Sequence, residues 1–263
     1  MGESTAILAR MCLILLAWHV HPGFPLVVAA NRDEYFARRT ASADFWHEHP
    51  QVMAGRDLEA GGTWLGLTRY GRFAALTNYR DPVRHKPDAP SRGRLVADFL
   101  CGDAPIEAYL DSLQPAAYNG FNLLLGDGQQ LVAFSNITRQ RHVLAPGIYG
   151  LSNATLDTPW PKVGAGKTAL AHALATLPDE TALQHLLRDD RIHPDTALPA
   201  TGVSLAWERL LSAAFIRSPD YGTRCSTLIK VGADGTASLD EKTWLPGGLA
   251  GGRCRYRFGL GKT

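Results

Sequence analysis

The sequence predicts one layered domain that mixes helices and strands, and three observations carry that expectation. Strand-like runs joined by turn residues occupy both ends of the chain, with helical periodicity between them. No shift in composition divides the 263 residues, and no internal repeat is present. Hydrophobic residues make up 45% and charged residues 20%, which is enough apolar material for a real core.

The elements follow in order. Met1 to Arg10 precede a second methionine, Met11, and a short apolar run. A signal peptide needs a longer apolar stretch and a small-residue cleavage site, whereas His19, His21 and Pro22-Gly23 interrupt this one. Residues 1–11 are therefore expected to be an extension, and 12–263 the domain. Leu13 to Val20 and Phe24 to Ala30 flank that Pro-Gly turn and read as a strand hairpin. Residues 37–60 read as irregular. Residues 63–68 and 72–78 form a second hairpin around Arg69-Tyr70-Gly71, and 80–92 a proline-rich loop. Helical pieces are expected at 94–100 and 106–113, strands at 121–125, 131–135 and 142–144, and helices at 167–177, 180–187 and 204–215. A last hairpin joins 226–231 to 237–241 through Ala233-Asp234-Gly235.

Composition excludes several classes of function. Lysine plus arginine total 27 against 25 acidic residues, a net charge of +2, which is unlike the basic stripe of a nucleic-acid binder. No apolar run approaches the ~20 residues of a membrane span. Cysteines 12, 101, 225 and 254 form no CxxC pair, and a reduced, cytoplasmic protein is expected. His19/His21 and His47/His49 share strand spacing, but no Cys or carboxylate completes a ligand set, so neither metal nor cofactor is expected. Gly164-Ala165-Gly166-Lys167-Thr168 imitates a phosphate loop. Its required first glycine is Pro161, which has no N–H for a phosphate, so a helix start is expected there.

Cys12 carries the chemistry. With everything through Met11 removed, it presents a thiol and a free α-amine on one residue. An α-amine titrates near ~7.7–8.0 and can take the thiol proton at neutral pH. Nucleophile and base then suffice for acyl transfer. Asn31-Arg32-Asp33-Glu34 ends the second strand, and an antiparallel hairpin returns it to the neighbourhood of residue 12. A solvated strand end is the plain alternative for these four residues.

These motifs resemble a known family. Cys12-Leu13-Ile14, Asn31-Arg32-Asp33-Glu34, Gly62-Thr63-Trp64-Leu65-Gly66, Ala75-Leu76-Thr77-Asn78-Tyr79-Arg80, Ser91-Arg92-Gly93, Leu151-Ser152-Asn153-Ala154 and Tyr221-Gly222-Thr223-Arg224 look like the NRDE family of transport and Golgi organisation protein 2. The likeness runs from residue 11 to about 245. It implies an α+β, four-layer αββα sandwich of the N-terminal nucleophile hydrolase type, with two stacked, mainly antiparallel sheets. More distantly, it is similar to choloylglycine hydrolases and penicillin V acylases. By that resemblance Cys12 is the nucleophile. The Arg-x-x-Asp positions of those enzymes fall on Asn31 and Glu34 in one register, or on Arg32 and Asp33 in another.

The resemblance also makes Asn153 an oxyanion donor and Arg224 an arginine near the nucleophile. Asp33 or Glu34 would hold the α-amine, and Arg32 with Arg224 would lower the thiol pKa. Thr68 stands where choloylglycine hydrolases carry a second oxyanion asparagine, and Cys225 reads as a packing substitution. The implied partner is a small-molecule amide or acyl substrate. The alternative is a non-catalytic protein handling a lipid-like molecule or haem in the same cleft.

Overall fold

The computed structural model describes residues 11–261, so residues 1–10 of the expected extension lie outside the described residues. Met11–His21 (β1) and Phe24–Tyr35 (β2) form the first hairpin. Leu13, Leu15 and Ala17 bury one face of β1, and Ile14, Leu16 and Trp18 bury the other. A strand apolar on both faces needs cover on both, which puts β1 inside a stack of layers.

Thr40–Phe45 (β3) and Val52–Asp57 (β4) replace the irregular stretch expected at 37–60. β3 is an edge strand with one buried residue, Ala43, so pairing to β4, not apolar alternation, defines it. Leu65–Thr68 (β5), Phe73–Asn78 (β6), Gly93–Cys101 (α1), Ile106–Ser112 (α2), Phe121–Gly126 (β7), Leu131–Ser135 (β8) and Arg141–Val143 (β9) follow the expected runs closely.

Gly147–Leu151 (β10) was not expected, because two of its five residues are glycine. At Gly150 the glycine is required, since a Cβ there would stand 2.6 Å from Val163 Cγ1. Val163 belongs to Pro161–Leu174 (α3), which starts with proline at its first position, six residues before the expected start at 167. The phosphate-loop imitation lies wholly inside this helix. A Cβ on Gly166 would stand 2.7 Å from Leu15 Cδ1, so that glycine serves close packing on β1.

Thr181–Leu186 (α4) and Leu205–Leu211 (α5) follow, the latter shorter than expected. Tyr221–Val231 (β11), Thr236–Leu245 (β12) and Leu249–Gly259 (β13) complete the chain. β13 was also missed. It is an exposed edge strand, and only its second half alternates, with Cys254, Tyr256 and Phe258 between arginines.

The strands build two sheets, in the orders β10-β1-β2-β11-β12-β13 and β3-β4-β5-β6-β7-β8-β9, every pair antiparallel. Ile14, Leu16 and Val28 of the first sheet meet Met53, Phe73 and Leu124 of the second in the central core. α1 and α2 cover the outer face of the second sheet through Leu95, Phe99 and Leu110, packed on Leu76 and Leu123. α3 and α4 cover the first through Val163, Leu170 and Leu183, packed on Leu13 and Val27. The result is the αββα sandwich.

Candidate active site

Cys12 is the second residue of β1 and faces the space between the sheets, with 6% exposure. Arg32 is its partner across the hairpin. Beside it opens a cavity of about 320 Å³, whose wall includes Cys12, Arg32, Glu34, Trp64, Asn78 and Arg224.

Strand parity divides the 31–34 tetrad. Arg32 and Glu34 share the face of Cys12, and Asn31 and Asp33 share the opposite one. Asn31 is fully buried under the helical layer. Its Nδ2 donates to the carbonyls of Leu187 (2.8 Å) and Ala214 (2.7 Å), and its Oδ1 accepts from Ser226 Oγ at 2.6 Å. It therefore ties sheet to helices and does not reach the sulfur side.

Glu34 accepts from the Tyr35 N–H at 3.0 Å and lies 3.4 Å from Arg32 and 3.7 Å from Arg38. Asp33 accepts from Thr223 Oγ1 at 2.7 Å through one oxygen, while its buried Oδ2 has no hydrogen-bond partner. Both registers considered from sequence pair residues on opposite faces.

Asn153 meets Cys12 at nitrogen. Its Oδ1 accepts the Cys12 N–H at 3.3 Å and the Ser152 hydroxyl at 3.1 Å, and its Nδ2 donates to the Asn78 carbonyl at 2.8 Å. The carboxamide is thus oriented with its oxygen toward Cys12 and its N–H away, which differs from the expected oxyanion donor. Arg224, at a bulge in β11, donates to the carbonyls of Tyr35 (2.7 Å) and Arg38 (2.9 Å) and clamps the turn between β2 and β3. Thr68 is remote from the cavity wall; its Oγ1 accepts the N–H groups of Tyr70 and Arg72 and closes the β5–β6 turn. Cys225 shares the cavity wall and donates its thiol to Glu241.

The thiol does not have the lowered pKa expected from sequence. Burial, and next the Asp33 carboxylate, push Cys12 up to about 12. Arg32 and the Asp33 backbone N–H pull the other way and lose, because desolvation dominates in so dry a place. Arg224 does not stand among the leading causes of the shift.

Three further groups surround the start of β1. Met11 is buried against Leu211, Ile216 and Tyr221, and its N–H donates to the Tyr221 hydroxyl at 3.2 Å. Lys162, in the first turn of α3, is 2% exposed and its Nζ has no hydrogen-bond partner. Burial pushes Lys162 down and Asp33 up, and each draws the other back toward its charged form. Nothing in the sequence marks Lys162, since a lysine in the first turn of a helix ordinarily faces water. Asn78 sat in a quoted motif with no role attached; only the pairing of β6 brings it to the cavity.

Among the described residues no group of three or more His, Cys, Asp or Glu side chains could hold a metal ion. No described helix is long and apolar enough to cross a membrane.

A sequence model of the family described as Transport and Golgi organisation 2 matches residues 11–246. The chain belongs to that family. Family relatives agree: the Transport and Golgi organization protein 2 homolog of Bos taurus is 40% identical, over 89% of this chain and 94% of its own. The Mus musculus homolog is 37% identical over the same shares. Among solved structures, an N-acylethanolamine-hydrolyzing acid amidase (NAAA) ortholog from Caenorhabditis elegans superposes with a TM-score of 0.43 at 11% identity, covering 83% of this chain and 92% of that one.

Proposed function

We propose that this family member is an amide or acyl hydrolase acting through Cys12 after removal of the residues through Met11. The observation that carries the reading is the placement of Cys12, with its thiol on the wall of the 320 Å³ cavity opposite Arg32 and its nitrogen held by Asn153 Oδ1. Removal of Met11 turns that nitrogen into a primary amine. The amine takes the thiol proton, and the thiolate attacks the substrate carbonyl carbon. The tetrahedral intermediate collapses to a thioester as the leaving amine or alcohol takes the proton back. Water, deprotonated by the same amine, then cleaves the thioester, releasing the acid and restoring the thiol.

Each residue has a role in this reading. Asn153 positions the amine as an acceptor. Asp33, whose Oδ2 is unpartnered, fits the amine better than Glu34, whose oxygens serve Tyr35, Arg32 and Arg38. Arg32 is the cation that favours the thiolate. Asn78, a residue of the cavity wall, takes the place of oxyanion donor in this reading, because the Asn153 amide is spent on the Asn78 carbonyl.

A second reading has its own support. With Met11 attached the thiol is held protonated, and the same cavity, with Trp64, Leu76 and Trp244 on its wall, suits a bound apolar molecule such as a lipid or haem. Intact mass of the purified protein separates the two. A chain beginning at Cys12, with one fast-alkylating thiol that Cys12→Ala removes, supports the hydrolase. A chain that retains Met11 and has no fast thiol supports the carrier.

A further inference from the structure

Lys162 is a buried ionisable group that the mechanism leaves without work. A lysine cation held dry and without a hydrogen bond is costly, and a structure keeps one only where something requires it. Its Nζ and the Asp33 Oδ2 are both partnerless, so the two do not bond to one another. Asp33 acts on Cys12 and Cys12 on Lys162, and Asp33 and Lys162 are each the other's strongest charged neighbour. Met11 is the partner of Asp33 across the β1–β2 ladder, and its side chain fills the space beside Tyr221. Removing Met11 empties that space and puts an amine at its edge.

We propose that Lys162 is a positioning residue for the amino terminus created by removal of Met11, acting with Asp33 as a buried cation–carboxylate pair that the Cys12 α-amine completes. The proposal rests on the reading of Cys12 as a processed nucleophile.

The charges around the amine explain the need for a lysine. Arg32, Asp33 and Glu34 of β2 act on Cys12; Asp33, Glu34 and Cys12 act on Tyr221 of β11; Lys162 of α3 feels Asp33, Arg80 of the loop after β6 and Glu208 of α5, and itself acts on His193. Arg80 and Glu208 neutralise one another at 2.7 Å, and Arg32 lies 3.4 Å from Glu34. Burial keeps Tyr221 protonated. Asp33 and Lys162 remain. Asp33 alone would hold the amine as an ammonium, which cannot accept the thiol proton. The Lys162 cation offsets that pull and keeps the neutral amine available.

The test reads the amine directly. The chain is produced from Met11, its processing to residue 12 is verified by intact mass, and Cys12→Ala removes the thiol while keeping the amine. Competitive acetylation of the amino terminus by dilute acetic anhydride is followed across pH, with and without Lys162→Met, Lys162→Gln and Lys162→Arg. Lys162→Met and Lys162→Gln should each raise the titration midpoint by about one pH unit, a tenfold loss of neutral amine below it. Lys162→Arg should stay close to the parent, because it keeps the charge. An unmoved midpoint in whichever neutral variant folds overturns the proposal. With Cys12 restored, iodoacetamide labelling at pH 7 should fall about tenfold in Lys162→Met. A shifted midpoint alongside a Cys12 thiol no faster than Cys101 upholds Lys162 and overturns the hydrolase reading instead.

Discussion

Asn153 Oδ1 accepts the backbone N–H of Cys12 at 3.3 Å, joining two residues 141 positions apart. The same side chain donates to the Asn78 carbonyl, so one carboxamide fastens the start of β1 to the end of β6, across the two sheets. Asn153→Ala strands the Cys12 N–H and takes a donor from the Asn78 carbonyl, while the Ser152 hydroxyl keeps the Cys12 carbonyl at 2.9 Å, and it should cost about 2–3 kcal/mol of stability. A urea midpoint unchanged from the parent would show the carboxamide to be dispensable for the fold. A purely catalytic oxyanion donor would leave that midpoint alone.

Asn31 should behave as a structural residue despite its place in the tetrad. Asn31→Ala removes the donor to two buried carbonyls and the acceptor of Ser226, with an expected loss of about 2–4 kcal/mol. Cys12 labelling in the folded variant should match the parent. A large fall in labelling without a change in stability contradicts this assignment.

Gly166→Ala offers a test of the α3–β1 contact. Alanine gains about 1 kcal/mol in helix propensity over glycine at an open site. Here the new methyl meets Leu15 at 2.7 Å, and the net effect should be a loss of about 1–3 kcal/mol. Thermal unfolding decides the sign, and a rise in Tm would mean that the helix can move off the sheet freely.

The reactivity of Cys12 should depend on what precedes it. While Met11 is attached, a pKa of about 12 leaves about one thiol in ten thousand ionised at pH 8, and alkylation should be correspondingly slow. The chain beginning at Cys12 should react at least about a hundredfold faster, because the amine supplies the base. Equal rates for the two forms, read by peptide mass analysis, would remove the amine from the mechanism.

Asp33 and Lys162 should give the unprocessed chain a stability trough near neutral pH. Burial raises Asp33 above its unfolded value of about 3.9, so its contribution falls as pH rises from there through the folded value. Burial lowers Lys162 below its unfolded value of about 10.4, so stability returns as pH rises from the folded value toward that one. Both groups are charged in between, where the cost is greatest. The Asp33→Asn, Lys162→Met double variant should therefore gain Tm over the parent most near neutrality, and less toward acid and alkali. A gain independent of pH would mean that the pair does not titrate as described.

The sequence alone determined the layers and the meeting of Cys12 with the tetrad. Apolar runs such as 13–18 and 121–125 can be satisfied only as strands covered on both faces, and the Pro22-Gly23 turn returns β2 to the start of β1, so Cys12 and the tetrad meet by hairpin arithmetic. Edge strands β3 and β13 and the glycine-bearing β10 escaped, because pairing and close approach define them, and neither writes an apolar alternation. Tertiary structure alone decided how the site is wired. Period two separates Asn31 and Asp33 from Arg32 and Glu34, yet β2 is apolar on both faces before them, so only the stacking of the sheets says which pair shares the face of Cys12. The orientation of the Asn153 amide, the clamp made by Arg224 and the burial of Lys162 each depend on groups distant in sequence. A hydrogen bond or a desolvated charge is fixed by what lies within a few ångströms, and those neighbours exist only once the chain has folded.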